Sequence, residues 1–311
     1  MTTSAATAVP TGAGSALTGV MLADAPGEVA LARARAADRA GLESFHLADI
    51  GMDGDDQWPL LGALACITER IRLGLVTNPY TRRPAVTANA VRTLHELSGG
   101  RAFVCFARGG DRILASQGAT AERPLTAIRE AIELTRRICP GATTWIATKG
   151  PQTMELAARV ADGVVLSGIP HGLLPEIVAG LRRTAERPLR ISLSIPYGGG
   201  EEVADGGRAR VALELGNMRP EYREAAGVPL DLIERVSAVL FGGGTLDEAA
   251  RLVPDDVVRR FALVAPPDQV AARLAHLRTS AGLDVVEISS SALFTEDGTA
   301  RIPELISMEA L

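Results

Sequence analysis

IRLGLVTNPYTRRPAVTANAVRTLHELSGGRAFVCFA, residues 71–107, is the stretch that decides the fold. An apolar, β-branched run (71–77) ends in a polar loop bracketed by Pro79 and Pro84. From Pro84 to Leu97 the apolar residues recur with helical period. A second apolar run, RAFVCFA (101–107), follows at once. Strand, helix and strand in so short a span predict a βαβ unit of a parallel sheet.

The same alternation continues in both directions. ALTGVML (16–22) predicts a first strand and 28–41 an Ala/Arg-rich helix; SFHLAD (44–49) and a helix over 58–69 come next. Beyond the opening unit lie a helix over 121–138, the strand TWIAT (144–148), a helix from Pro151, the strand GVVLS (163–167) and a helix over 173–184. RISLSIP (190–196) leads into a long, mostly helical stretch through Ala281, and VVEISS (285–290) is the last strand. Eight strands with helices between them predict a (β/α)8 TIM barrel rather than an open doubly wound sheet. The segment 201–264 is too long for one crossover and predicts extra helices inserted after the seventh strand. No repeat or Pro/Gly-rich linker marks a second domain. Residues 1–15 read as a disordered tail and 16–311 as one barrel domain.

Composition narrows the function. The chain has 311 residues, 47% hydrophobic and 22% charged, with net charge −5. It is therefore a globular chain without the basic stripe that nucleic acid requires. No apolar run is long enough for a bilayer, and the first residues carry no basic group before a hydrophobic stretch, so neither membrane span nor secretory signal is expected. Cys66, Cys105 and Cys139 are odd in number and widely spaced, without a CxxC pair. They fit a reducing cytoplasm and no metal site. Of 32 basic residues, 31 are Arg and only Lys149 is Lys. Codon bias accounts for the Arg excess. A position that kept Lys can need a compact ammonium that guanidinium does not imitate.

In a barrel, chemistry sits at the C-terminal ends of the strands. The residues there are Asp49-Ile50-Gly51 after the second strand, Thr77-Asn78-Pro79 after the third and Arg108-Gly109-Gly110-Asp111 after the fourth. Thr148-Lys149-Gly150-Pro151 follows the fifth strand, and Ser167-Gly168-Ile169-Pro170-His171 the sixth. The fifth loop suits a phosphate: Pro151 starts a helix with free N–H groups, Gly150 allows close approach, and Thr148 and Lys149 add a donor and a charge. Taken alone, it is better read as an ordinary Gly-Pro turn. The third loop, with two prolines and two arginines, suits an anionic or planar ligand, Thr77 and Asn78 donating or accepting hydrogen bonds. The bland alternative is an Asn-Pro turn before a helix start.

The run GLVTNPYTRRPAVTANAVRTLHELSGGRAFVCFARGGDR (74–112) resembles the luciferase-like monooxygenase superfamily, nearest its methylenetetrahydromethanopterin reductase type. KGPQTMELAARVADGVVLSG (149–168) and FALVAPPDQVAARLAHLRTSAGLDVVEIS (261–289) resemble the same family's later segments. The resemblance implies a flavin-like tricycle at the C-terminal face, coenzyme F420 in preference to FMN. It implies a non-prolyl cis peptide at Leu75–Val76 against the ring. Asp49, Thr77, Asn78 and Asp111, with Arg108 and Gly109, would lie near the ring and its side chain; Thr148, Lys149, Gly150, Ser167 and Gly168 would lie at the phosphate end. Relatives commonly dimerise through the second and third barrel helices, here with Leu60, Leu61 and Leu64 beside Val91 and Leu94.

Three departures from the family pattern matter. Asp49 is followed by Ile50 where many deazaflavin-dependent relatives have His. TGVML lacks the acidic residue of methanopterin reductases. Pro140-Gly141-Ala142 stands where relatives insert a substantial roof. His46 lies within a strand and reads as a packed structural histidine. The resemblance implies an F420-dependent reductase delivering hydride to a C=N or C=C bond of a small imine or enamine, with Asp49, Asp111 and His171 as candidate proton donors. Alternatives are an FMN-dependent monooxygenase, a deazaflavin-dependent dehydrogenase, and a degenerate barrel acting as a binding or partner subunit.

Overall fold

The computed structural model describes residues 19–22, 27–49, 55–200 and 202–289. The expected tail 1–15, residues 16–18 of the first strand, Ile50 with Gly51, and residue 290 lie outside the described residues.

Strands β1 (Gly19–Leu22), β2 (Ser44–Ala48), β3 (Arg72–Thr77), β4 (Ala102–Phe106), β5 (Thr143–Thr148), β6 (Gly163–Ser167) and β7 (Arg190–Ile195) are followed by β8 (Tyr197–Gly199), β9 (Leu263–Val264) and β10 (Val285–Ile288). Helices α1 (Gly27–Arg39), α2 (Gln57–Ile67), α3 (Pro84–Leu97), α4 (Asp111–Ser116), α5 (Pro124–Ile138), α6 (Pro151–Val160) and α7 (Leu174–Thr184) alternate with the first seven strands. Between β8 and β9 come α8 (Asp205–Gly216), α9 (Pro220–Arg223), α10 (Leu230–Phe241), α11 (Leu246–Arg251) and α12 (Asp255–Val258); α13 (Pro267–Ala281) precedes β10. The chain is thus an α/β fold around a curled parallel sheet. Pairing runs β1-β10-β7-β6-β5-β4-β3-β2 and returns to β1, so the sheet closes on itself.

Alternation along each strand divides the core in two. Phe45, Leu47, Leu73, Leu75, Val104, Phe106, Ile146, Val164 and Leu166 face the helices in the main hydrophobic cluster. Phe103, Cys105, Trp145, Val165 and Val285 form a second cluster on the other side of the strands, inside the curl. Room for the two large aromatics comes from glycine: a Cβ on Gly74 would stand 2.4 Å from the Phe103 ring, and one on Gly163 2.5 Å from Trp145. His46 is fully buried in this interior, its Nε2 2.8 Å from Glu287 Oε1 and its ring edge-on to Phe103. It is the packed histidine expected. Burial raises the Cys105 thiol well above its ordinary value, so this cysteine is inert.

Four expectations are corrected. Among the described residues every peptide bond is trans, Leu75–Val76 included. Pairing of Leu75 with Val104 and Val76 with Cys105 continues without interruption to Thr77, so a trans bond is what the ladder holds there. The apolar faces offered for a dimer are consumed within the chain: Leu61, Leu64 and Val91 are wholly buried and Leu94 nearly so, packed into the chain's own core. The exposed apolar residues on α3 are instead Val86 and Leu97. The helix expected over 121–138 begins at Pro124, and a separate short helix, α4, precedes it. Finally, β8 and β9 pair as a small two-stranded parallel sheet that ties the ends of the 197–264 insertion together.

At the N-terminal ends of the strands, Glu43, Ser44, Arg72, Phe103, Trp145, Val285 and Glu287 line a small cavity. Arg190 clamps both oxygens of Glu43 there, and Arg72 donates to Thr143 Oγ1. These charges lie at the bottom of the curl, opposite the strand ends that carry Asp49, Thr77 and Thr148.

Candidate functional site

Asp49, Thr77, Arg108, Thr148 and Ser167 each stand at or just past the C-terminal end of a parallel strand, and they therefore share one end of the sheet. Asp49 extends β2 by one ladder bond, its N–H donating to Val76 O at 2.8 Å. Thr77, almost fully buried, donates its hydroxyl to Asp49 Oδ2 at 3.0 Å. The pair fixes a carboxylate at the mouth.

Asn78 commits its side-chain oxygen to its own turn. It is 2% exposed, and its Oδ1 accepts from the backbone N–H of Tyr80 and Thr81 and from the Thr81 hydroxyl. It shapes the TNPYT turn instead of presenting its carbonyl to a ligand. Past β4, Gly109 turns the chain with φ +83°. Arg108 Nη2 then meets Asp111 Oδ1 at 2.7 Å, both side chains well exposed. Asp111 is a solvated partner of Arg108 at the start of α4.

The third group is the most constrained. Thr148 Oγ1 accepts from the Gly150 N–H at 3.0 Å, setting the turn into α6. Lys149 Nζ lies 2.9 Å from Glu214 Oε2, and Arg210 Nη2 lies 3.1 Å from Glu214 Oε1. Glu214 comes from α8 in the insertion and its side chain is 9% exposed. Burial alone would raise its pKa, but Arg210 and Lys149 together hold the carboxyl below its ordinary value. The carboxylate rests on Gly168, which has φ +61°; a Cβ there would stand 1.9 Å from Oε2 and 3.4 Å from Lys149 Nζ. Two cations and a bare left-handed glycine thus form a cradle for one anion. Arg219, after α8, packs over Gly150, 3.2 Å from where a Cβ would be. Tyr222 of α9 touches Met154 of α6, so the insertion covers the β5–β6 side of the mouth.

His171 lies in the 3-10 turn before α7. Its N–H donates to Arg260 O, and burial pushes its imidazole down to about 4, opposed by a backbone hydrogen bond at Phe261. At neutral pH it is uncharged and packed against the end of the insertion, which disfavours it as an acid. Sequence reasoning missed Glu214 and Arg210. Their only signal, Arg and Glu four apart on a helix, is that of a solvated surface pair. Ile50, the departure beside Asp49, lies outside the described residues.

The luciferase-like monooxygenase family profile matches residues 6–144 and 139–284. A 5,10-methylenetetrahydromethanopterin reductase of Archaeoglobus fulgidus is 28% identical over 269 residues, covering 74% of this chain and 80% of that protein. The solved coenzyme F420-dependent tetrahydromethanopterin reductase of Methanopyrus kandleri superposes with TM-score 0.79 at 19% identity, covering 93% of this chain and 97% of that one. A structure of an F420-dependent secondary alcohol dehydrogenase with an F420–acetone adduct superposes with TM-score 0.70 at 16% identity, covering 93% and 97%. With a profile that spans most of its length and a fold in agreement, the chain belongs to the luciferase-like monooxygenase family.

Proposed function

We propose that the protein is an F420-dependent oxidoreductase that reduces a C=N or C=C bond of a small organic substrate, imine or enamine. The cofactor choice rests on the F420-dependent relatives of like sequence and fold, and the cradle at Lys149, Arg210 and Gly168 supports it with a place for an anion at the strand ends. The residues present fit an anionic cofactor, since the cradle already accommodates a carboxylate. Lys149, Thr148, Gly150, Ser167 and Gly168 would hold its phosphate end. Asp49 and Thr77 would face its ring end, with Arg108, Gly109 and Asp111 beside the connecting side chain. When bound, the reduced deazaflavin supplies hydride and does not activate oxygen.

The chain's own residues supply orientation and a proton. Asp49, held by the Thr77 hydroxyl, is the carboxylate best fixed at the mouth and is the preferred donor. Asp111 is solvated by comparison, and the half-buried His171 has its imidazole pushed down to about 4. The insertion over β5–β6 takes the place of the roof that relatives carry between their fourth helix and fifth strand; here Cys139–Ala142 is a short link. We further read the closed sheet as the eight-unit barrel with 197–264 inserted after its seventh strand, in a homodimeric cytoplasmic protein. Light scattering at micromolar concentration tests the dimer, and a monomer refutes it. No helix of the described residues is long and apolar enough to cross a membrane.

One observation favours a second reading. A cradle filled by the chain's own carboxylate is also what a barrel that has lost its cofactor would show. Fluorescence titration with F420 separates the two: saturable quenching supports the reductase, and none supports the degenerate barrel.

A further inference from the structure

We infer that Glu214 is an internal stand-in for the phosphate of the cofactor side chain, and that it must leave the cradle for that phosphate to enter. The inference rests on the proposed F420 site. A buried carboxylate needs partners, and Glu214 has two cations: Lys149 at 2.9 Å and Arg210 at 3.1 Å. Lys149 belongs to the β5–α6 loop, whereas Glu214 and Arg210 belong to α8 of the insertion. One ion pair therefore spans the boundary between the sheet and its cover. Gly168 leaves open the volume that Oε2 fills, because any side chain there would overlap it.

A carboxylate and the phosphodiester of the F420 side chain each present two anionic oxygens sharing one charge to the same donors. They cannot share this cradle without placing two anions in contact, away from water, which is unfavourable. Entry of the phosphate therefore releases Glu214 and loosens the last turns of α8 from the β5–β6 loops. The pair holds Glu214 in the cradle, and the cofactor is bound at the cost of breaking it. Arg210, four residues before Glu214 on the same helix, keeps its carboxylate company after release.

The test compares binding of F420 and of the phosphate-free deazaflavin riboside, by fluorescence, to the wild type, Glu214→Gln and Lys149→Ala. Glutamine keeps the shape and removes the competing charge, so F420 should bind at least about fivefold more tightly to Glu214→Gln. The riboside should bind both proteins alike. Lys149→Ala should weaken F420 about tenfold and leave the riboside unchanged. In the wild type, hydrogen exchange over the last turns of α8 should speed up when F420 binds, a readout that needs no variant. F420 bound equally or more weakly by Glu214→Gln, or slower exchange in α8, overturns the displacement. A wild type that binds neither ligand overturns the cofactor reading instead.

Discussion

Replacing Gly168 with alanine probes the cradle most sharply. The added Cβ would fall 1.9 Å from Glu214 Oε2, against the 3.0 Å that real contacts respect, so the carboxylate must retreat by about 1 Å. That breaks the 2.9 Å bond to Lys149, and a charge-assisted bond of this kind contributes about 1.5–3 kcal/mol. Holding alanine at φ +61° adds about 1–2 kcal/mol of strain. The total, about 2.5–5 kcal/mol, corresponds to a fall in Tm of roughly 5–10 °C at about 2 °C per kcal/mol for a chain of this size. Gly172→Ala is the matched control: it lies four residues on, and a Cβ there meets nothing within 4 Å. Thermal unfolding should show Gly168→Ala well below wild type and Gly172→Ala close to it. F420 affinity should fall in Gly168→Ala as well, because the methyl fills the phosphate's space. Equal melting of both variants would show that Glu214 does not rest on Gly168.

Thr77→Val deletes the hydroxyl that donates to Asp49 at near-constant volume and should weaken F420 binding about three- to tenfold by fluorescence titration; unchanged affinity would remove this pair from the ring end. The folded value of His171, about 4, lies below its unfolded 6.5, so the unfolded chain takes up the proton first and stability is lost as pH falls from 6.5 toward 4. Urea midpoints at pH 7 and pH 5 should therefore differ more in the wild type than in His171→Asn. Asp38 accepts from the backbone N–H groups of Glu69, Arg70 and Ile71; burial, which raises its pKa, is outweighed by these bonds, which lower it. Asp38→Ala should cost about 2–3 kcal/mol in urea unfolding at pH 7. Because the folded value is depressed below 3.8, this contribution is intact above pH 4 and disappears only as pH falls through the lower folded value.

The β3–α3–β4 unit was legible because its two periods differ cleanly and Pro84 marks the helix start; α3 spans 84–97, as the spacing implied. The strand ends followed from the same alternation, which is why Asp49, Thr77, Thr148 and Ser167 were found together. The cradle was not legible. Lys149 and Glu214 are 65 residues apart, and nothing local distinguishes Glu214 from other helical glutamates. Leu61, Leu64, Val91 and Leu94 misled for a related reason: an apolar helix face is the same in sequence whether it covers a barrel or a second subunit. Asn78 looked like a ligand group because polar loop residues near a site do; its carbonyl is used by its own turn.

The central claim is that this family member takes F420, and titrating the purified protein with F420 and with FMN tests it most directly. F420 fluorescence should quench saturably, and FMN should bind at least about tenfold more weakly, a difference of about 1.4 kcal/mol. Tight binding of FMN with no binding of F420 would contradict it and make the protein a flavin-dependent member of the family.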